Sequence, residues 1–347
     1  MIFSKYKKTT FLLVVILIAL GISYSWTFTP HGRLDYRAAL SLKLLSFTTT
    51  IKPHPGSDFE LTLPVNLIYG LSAKLPLAQV SRTEDIRIPS AAGEIPARVY
   101  WPAGFDDSQA PPAVIVYYHG GGFVVGSIDI FDPLARGIAN AGEAIVVSVD
   151  YRLAPTHPYP AAVDDCYEAL LWAAANAASL GGDPARLVVA GDSAGGHLAT
   201  VAALRARDDA GPAVAAQVLY YPGSDLTETH YDSMEKFSDG YGMSADSMLV
   251  YRQAYVGHVA LEERSQPYIS PLYAQSHTGL PPTLIVTAGF DPLTDSAHLY
   301  AERLQQSQVP VVVKHYPDMI HGFMSVPLFS QQRDALKETA RFLKDVL

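Results

Sequence analysis

The sequence predicts an open α/β domain on a mostly parallel sheet, and three observations carry that reading. Six apolar runs of strand length recur, at 113–119, 144–150, 186–192, 215–221, 283–289 and 311–316. They are continuous rather than alternating, as strands covered on both faces are. Helical periods fill the spaces between them, at about 132–141, 160–179, 194–207, 296–307 and 328–346. Strand–helix alternation of this kind closes through right-handed crossovers. In chain order, the sheet opens with EDIRIP (84–89) and EIPARVYW (94–101), which read as antiparallel strands. The gap 222–282 is long and holds a polar, aromatic-rich piece, 226–265, with a helical pattern of its own. That piece and residues 31–80, broken by Pro53, Pro55, Pro64 and Pro76, are candidates for a lid over the carboxyl ends of the strands. Ligands bind α/β sheets at those ends.

Bulk composition narrows the class. A chain of 347 residues, 49% apolar and 17% charged, is an ordered globular protein. Its net charge of −9, without a basic stripe or a repeat, argues against nucleic acid as a partner. Cys166 is the sole cysteine, so no intrachain disulfide can form. It lies in a helical pattern and reads as a small buried hydrophobe. Nothing in the sequence speaks to oligomeric state.

The N-terminus carries an export pattern. Lys5, Lys7 and Lys8 precede Thr9–Pro30, which has no charge and is most apolar over Phe11–Ile22. The uncharged stretch is long enough to span a bilayer, with Tyr24 and Trp26 at its far interface. Residues 1–30 are therefore expected to anchor the chain, with the lysines cytoplasmic and the rest of the chain exported. Secretion after cleavage near Ser23 or Ser25 is the alternative, and His31, Arg33 and Arg37 weaken the charge asymmetry.

The chemistry is written at Gly191-Asp-Ser193-Ala-Gly195, a G-x-S-x-G turn between an apolar run and a small-residue helix. So tight a turn strains the serine, needs side-chain-free neighbours, and lifts the hydroxyl clear of the sheet above a helix N-terminus. A serine hydroxyl is nearly inert unless a base, itself held by an acid, takes its proton. Behind such an elbow the partners follow in the order acid, then histidine. Asp291 in TAGFDPLTD and His321 in YPDMIHGF supply them, each just past a strand. Asp295 reads as a cap of the next helix and Asp318 as a turn residue. His315 lies within a strand pattern, and His197 follows the elbow and reads as a packing residue.

The oxyanion needs donors as well. His119-Gly120-Gly121-Gly122 directly follows the run 113–118, and consecutive glycines let amides converge on one point. The donors expected are the N–H groups of Gly121, Gly122 and Ala194, with His119 and Gly120 supporting the loop. A phosphate cradle is excluded by the missing Lys-Ser/Thr and by the glycine spacing. Phe123, Tyr221, Phe290 and Phe323 adjoin these motifs and are candidates for an apolar pocket or simply core aromatics.

HGGGF, VSVDYRLAPTHPYPAAVDD, GDSAGGHLA, DPLTD and MIHGF together resemble the hormone-sensitive-lipase-like esterases of the α/β-hydrolase superfamily. The resemblance runs from about residue 84 to the end. It implies an α/β-hydrolase fold: a mostly parallel eight-stranded sheet flanked by helices, residues 81–347, with a helical cap from 31–80 and the insertion near 226–265. It implies hydrolysis of short- to medium-chain carboxylic esters, hence a small apolar ester as partner, without metal or organic cofactor. Ser193 is then nucleophile, His321 base and Asp291 orienting acid. Arylacetamide deacetylases are similar behind an N-terminal anchor, which keeps amides open as substrates. Receptor-like relatives lack the base, whereas His321 is in place here. Asp318 departs from the glycine expected in this pattern.

Overall fold

A computed structural model describes residues 19–46 and 77–347. Eight strands form one sheet: β1 (Arg82–Ser90), β2 (Gly93–Trp101), β3 (Val114–Tyr118), β4 (Ile145–Val149), β5 (Leu187–Asp192), β6 (Ala216–Tyr220), β7 (Thr283–Phe290) and β8 (Val311–Ile320). Their spatial order is β8-β7-β6-β5-β3-β4-β2-β1. β1 and β2 form an antiparallel hairpin, β2 runs antiparallel to β4, and every other neighbouring pair is parallel. The continuous apolar runs have their physical reason here: β3 to β6 are buried at every residue.

Among the described residues, helices that pack on the sheet or beside it are α1 (Tyr36–Ser46), α2 (Ile128–Gly142), α3 (Ala161–Asn176), α4 (Ala194–Asp208), α5 (Asp232–Phe237), α6 (Ala245–Val256), α7 (Thr294–Gln306) and α8 (Ser330–Val346). Because successive strand residues point to opposite faces, Val114, Val116 and Tyr118 join the core under α3, α4 and α7. Ile115 and Tyr117 join the core under α1, α2 and α8. The stretch 226–265 folds into α5 and α6, the latter opened by a Ser244/Ser247 capping box.

Two expectations are corrected. Asp318 is not in a turn: β8 continues through an irregularity between Tyr316 and Ile320. The Asp318 carbonyl accepts the Asp35 amide at 2.8 Å, and its carboxylate takes the Gln331 side chain at 2.7 Å. Asp295 does not cap α7. That helix begins at Thr294, and Asp291 already holds the Leu293 amide at 2.8 Å. Asp295 instead accepts the Ser233 amide at 2.8 Å, fastening α5.

The chain ahead of the sheet crosses the same end of the molecule. A short ribbon pairs Phe28–Thr29 with Gly32–Arg33, and Arg37 donates to the Leu328 carbonyl at 2.6 Å. Gln331 also reaches Asp35, at 3.3 Å. No helix among the described residues is long and apolar enough to cross a membrane. The expected anchor lies mainly outside the described residues, as does most of the 31–80 cap region.

Candidate active site

The elbow is as tight as its glycines demand. Ser193 follows β5 directly, at φ 54 and ψ −119, a left-handed conformation that costs a non-glycine residue energy. Its amide donates to the Tyr220 carbonyl at 2.8 Å, which fixes the turn against β6. Any Cβ at Gly195 would collide with the backbone carbonyl of Tyr118, so the first turn of α4 packs directly beneath the loop after β3. The hydroxyl is thereby presented at the carboxyl end of the sheet.

Asp291 and His321 arrive from the ends of β7 and β8. Asp291 is wholly buried. The Nδ1–H of His321 donates to Asp291 Oδ2 at 2.8 Å, and Ser193 Oγ donates to His321 Nε2 at 2.8 Å. Proton placement follows from that network, since only one tautomer satisfies both bonds. The other Asp291 oxygen holds the Leu293 amide, so the carboxylate cannot swing away. Three side chains from residues 193, 291 and 321 thus form one chain of hydrogen bonds.

The loop 119–123 lies beside the elbow. Gly121 has φ 116, which a side chain would not tolerate, and its carbonyl accepts the amides of Val124 and Val125. Among the described residues no group accepts a hydrogen bond from the amides of Gly121, Gly122 or Ala194. His119 is buried between the rings of Tyr151 and Phe131, with centroids 4.4 and 5.3 Å away. It bonds the Gly120 carbonyl at 2.7 Å, and burial pushes its imidazole down to about 4. A neutral, enclosed ring of this kind braces a loop rather than moving protons. His197 is likewise buried and pushed down to about 4 by desolvation. His315 lies in β8 and shares the Thr287 hydroxyl with His298.

The four aromatics divide. Tyr221 sits 4.8 Å, ring to ring, from His321, and Phe123 stacks on Tyr255 of α6. Phe290 meets Phe237 and Tyr241 of the segment 226–265 at 5.5 and 5.1 Å. Phe323 is fully buried behind Tyr221, in the core. Sequence reasoning passed over three residues. Asp192 accepts hydrogen bonds from Tyr117 Oη and the Gly120 amide, and Tyr151 donates to the His119 carbonyl at 2.6 Å. Asp192 stood in plain view as the variable position of the elbow motif. Its partners become visible only once β3 lies beside β5.

Fold and site define an α/β hydrolase, and the alpha/beta hydrolase fold family matches residues 115–325; the chain belongs to that family, in its hormone-sensitive-lipase-like branch. Esterase LipI of Mycobacterium tuberculosis is 41% identical over 249 residues, covering 72% of this chain and 77% of the relative. Carboxylesterase NlhH of the same organism is 43% identical over 237 residues, covering 68% and 73%. Among solved structures, a hyperthermophilic esterase from the archaeon Pyrobaculum calidifontis superposes with a TM-score of 0.75. It is 42% identical, covering 82% of this chain and 91% of its own.

Proposed function

We propose that this protein is a serine carboxylesterase that hydrolyses short- to medium-chain carboxylic esters through an acyl-enzyme. The observation that carries the reading is the unbroken chain Ser193 Oγ–His321 Nε2, His321 Nδ1–Asp291 Oδ2, with both contacts at 2.8 Å. As Oγ attacks the ester carbonyl, its proton passes to Nε2 and the imidazolium is held by Asp291. The carbonyl oxygen takes the negative charge, and the amides of Gly121, Gly122 and Ala194 are its donors. Collapse of the tetrahedral adduct breaks the carbon–oxygen bond to the alcohol, which leaves with the proton from Nε2. Water, deprotonated by the same nitrogen, then attacks the acyl-serine; the bond from the acyl carbon to Oγ breaks, the acid leaves, and Nε2 returns its proton to Ser193. Phe123, Tyr221 and Phe290 form apolar walls, and the segment 226–265 acts as the cap.

The test is turnover of p-nitrophenyl acetate through octanoate by the full chain, beside Ser193→Ala and His321→Ala. Wild-type activity falling to near background in both folded variants is expected; a wild type as inert as they are overturns the reading. Faster turnover of aryl acetamides than of esters would move the substrate class to amides. Attachment to a membrane by residues 1–30, with the catalytic part exported, is a second part of the proposal. Its support is the Lys5, Lys7, Lys8 cluster ahead of an uncharged run. The intact mass of membrane-extracted protein tests it: loss of the first ~25 residues would mean secretion after cleavage instead.

A further inference from the structure

The residue between strand and nucleophile is a buried carboxylate, and its partners are all in the machinery beside it. Asp192 is 2% exposed. One of its oxygens, Oδ1, accepts two hydrogen bonds: from the Tyr117 hydroxyl at 2.5 Å and from the Gly120 amide at 2.8 Å. Tyr117 is itself fully buried on β3, which pairs with β5 so that Tyr118 faces Gly191. Gly120 packs so closely that an added Cβ would lie 2.5 Å from Asp192 Oδ2.

The rest of the loop is fastened elsewhere. Tyr151 holds the His119 carbonyl, His119 holds the Gly120 carbonyl, and the Ala154 amide holds the Phe123 carbonyl at 2.9 Å. Among the described residues, only Asp192 receives the Gly120 amide. That amide immediately precedes those of Gly121 and Gly122. Asp192 is also bonded covalently to Ser193. One residue therefore ties the attacking oxygen to the loop that carries two of the three oxyanion donors.

Stability alone does not account for a carboxylate here. Taking an ionised group out of water is costly, and the hydrogen bonds from Tyr117 and the Gly120 amide, its largest compensation, do not outweigh the burial. Burial pushes its carboxyl up to about 6, against the opposing pull of Tyr117 and the Gly120 amide. An apolar residue would fill the space without that cost, but would leave the Gly120 amide unheld.

We propose that Asp192, gripped by Tyr117, is a positioning residue that sets the spacing between Ser193 and the Gly121 and Gly122 amides. This rests on the esterase reading above. The role concerns the tetrahedral adduct, whose oxyanion needs its donors within a narrow range of distance, and not the ground-state ester. Misplacement by an ångström or so costs about 10²-fold in rate, and loss of one donor about 10²–10³-fold.

The test compares wild type, Asp192→Ala, Asp192→Asn and Tyr117→Phe on p-nitrophenyl butyrate, with inhibition by an aryl trifluoromethyl ketone as a second readout. The ketone forms a tetrahedral adduct with the serine and so reports the donors directly. Asp192→Ala is expected to lower kcat about 10²–10³-fold with KM little changed, and to weaken the ketone in proportion. Asp192→Asn keeps an acceptor oxygen and should stay within about tenfold of wild type; Tyr117→Phe, which keeps the Gly120 bond, should lose less still. An unchanged kcat in Asp192→Ala, a change in KM alone, or ketone affinity that stays constant while kcat falls overturns the proposal. If Asp192→Ala does not fold, Asp192→Asn decides: activity near wild type supports the role, and a loss as deep as about 10³-fold overturns it. An inactive wild type would fail the esterase reading itself, so the two failures are distinguishable.

Discussion

The ring of Tyr255, on α6, lies face to face with that of Phe123, centroids 4.0 Å apart and planes within 4° of parallel. Phe123 closes the glycine loop at φ 65, so the stack joins the segment 226–265 to the loop 119–123 through a strained residue. Tyr255 is fully buried, and its hydroxyl has no hydrogen-bond partner among the described residues. Tyr255→Ala should therefore cost about 3–5 kcal/mol, the usual range for emptying a large aromatic site. Tyr255→Phe should gain about 1 kcal/mol, since it removes a buried polar group at no loss of packing. Urea unfolding of the two variants checks both signs; a clear loss in the phenylalanine variant would mean that the hydroxyl is satisfied.

Asp291→Asn should fold normally and lose about 10⁴-fold in kcat, because an amide nitrogen opposite Nδ1 favours the wrong imidazole tautomer. The Leu293 amide can still be accepted by the asparagine oxygen, so the melting temperature should move little. A steady-state measurement at saturating ester, paired with a thermal scan, separates these two effects.

Gly195→Ala places a methyl against the Tyr118 carbonyl, which belongs to β3 and cannot retreat. Overpacking of this kind costs about 1–3 kcal/mol. The elbow and the glycine loop would be pushed apart, so kcat should fall even in protein that remains folded. Full activity in a folded Gly195→Ala protein would show that this contact tolerates displacement.

Stability should depend on pH through two buried imidazoles. Burial holds His119 and His197 each at about 4, well below an ordinary histidine at 6.5. Their contribution is present above pH 6.5 and drains as pH falls from 6.5 toward 4, by on the order of 3 kcal/mol each at most. Asp192 works the other way: its raised value means a contribution present below pH 3.8 and lost as pH rises through about 6. His197→Asn should flatten the acid side of the stability curve, and Asp192→Asn should remove the opposing drift. Unfolding midpoints taken from pH 4 to 7 test this; curves parallel to wild type would contradict it.

Much of the sheet was legible because strands buried on both faces are predominantly apolar, as β3 to β6 are, with Ser148, Asp192 and Gln217 as their buried polar or charged side chains. The meeting of Ser193, Asp291 and His321 could be read because each follows a strand at its carboxyl end, a position that sequence order reports directly. Asp192 and Tyr117 could not be read, since their contact depends on β5 lying beside β3, across 75 residues of chain. Asp318 and Asp295 misled for a related reason. Each looks like a local turn or cap residue, but its hydrogen bonds go to Gln331 and Ser233, choices that only tertiary packing creates.

The docking of Asp35 onto Asp318, three residues before His321, has a practical side. A resin, electrode or affinity handle joined ahead of residue 27 would tug, through that splice, on the strand that presents the imidazole. Joined beyond Leu347, the same support would pull on α8, which is bonded to that strand through Gln331, Asp334 and Glu338. Either end thus reaches the imidazole-bearing strand through a hydrogen-bonded neighbour.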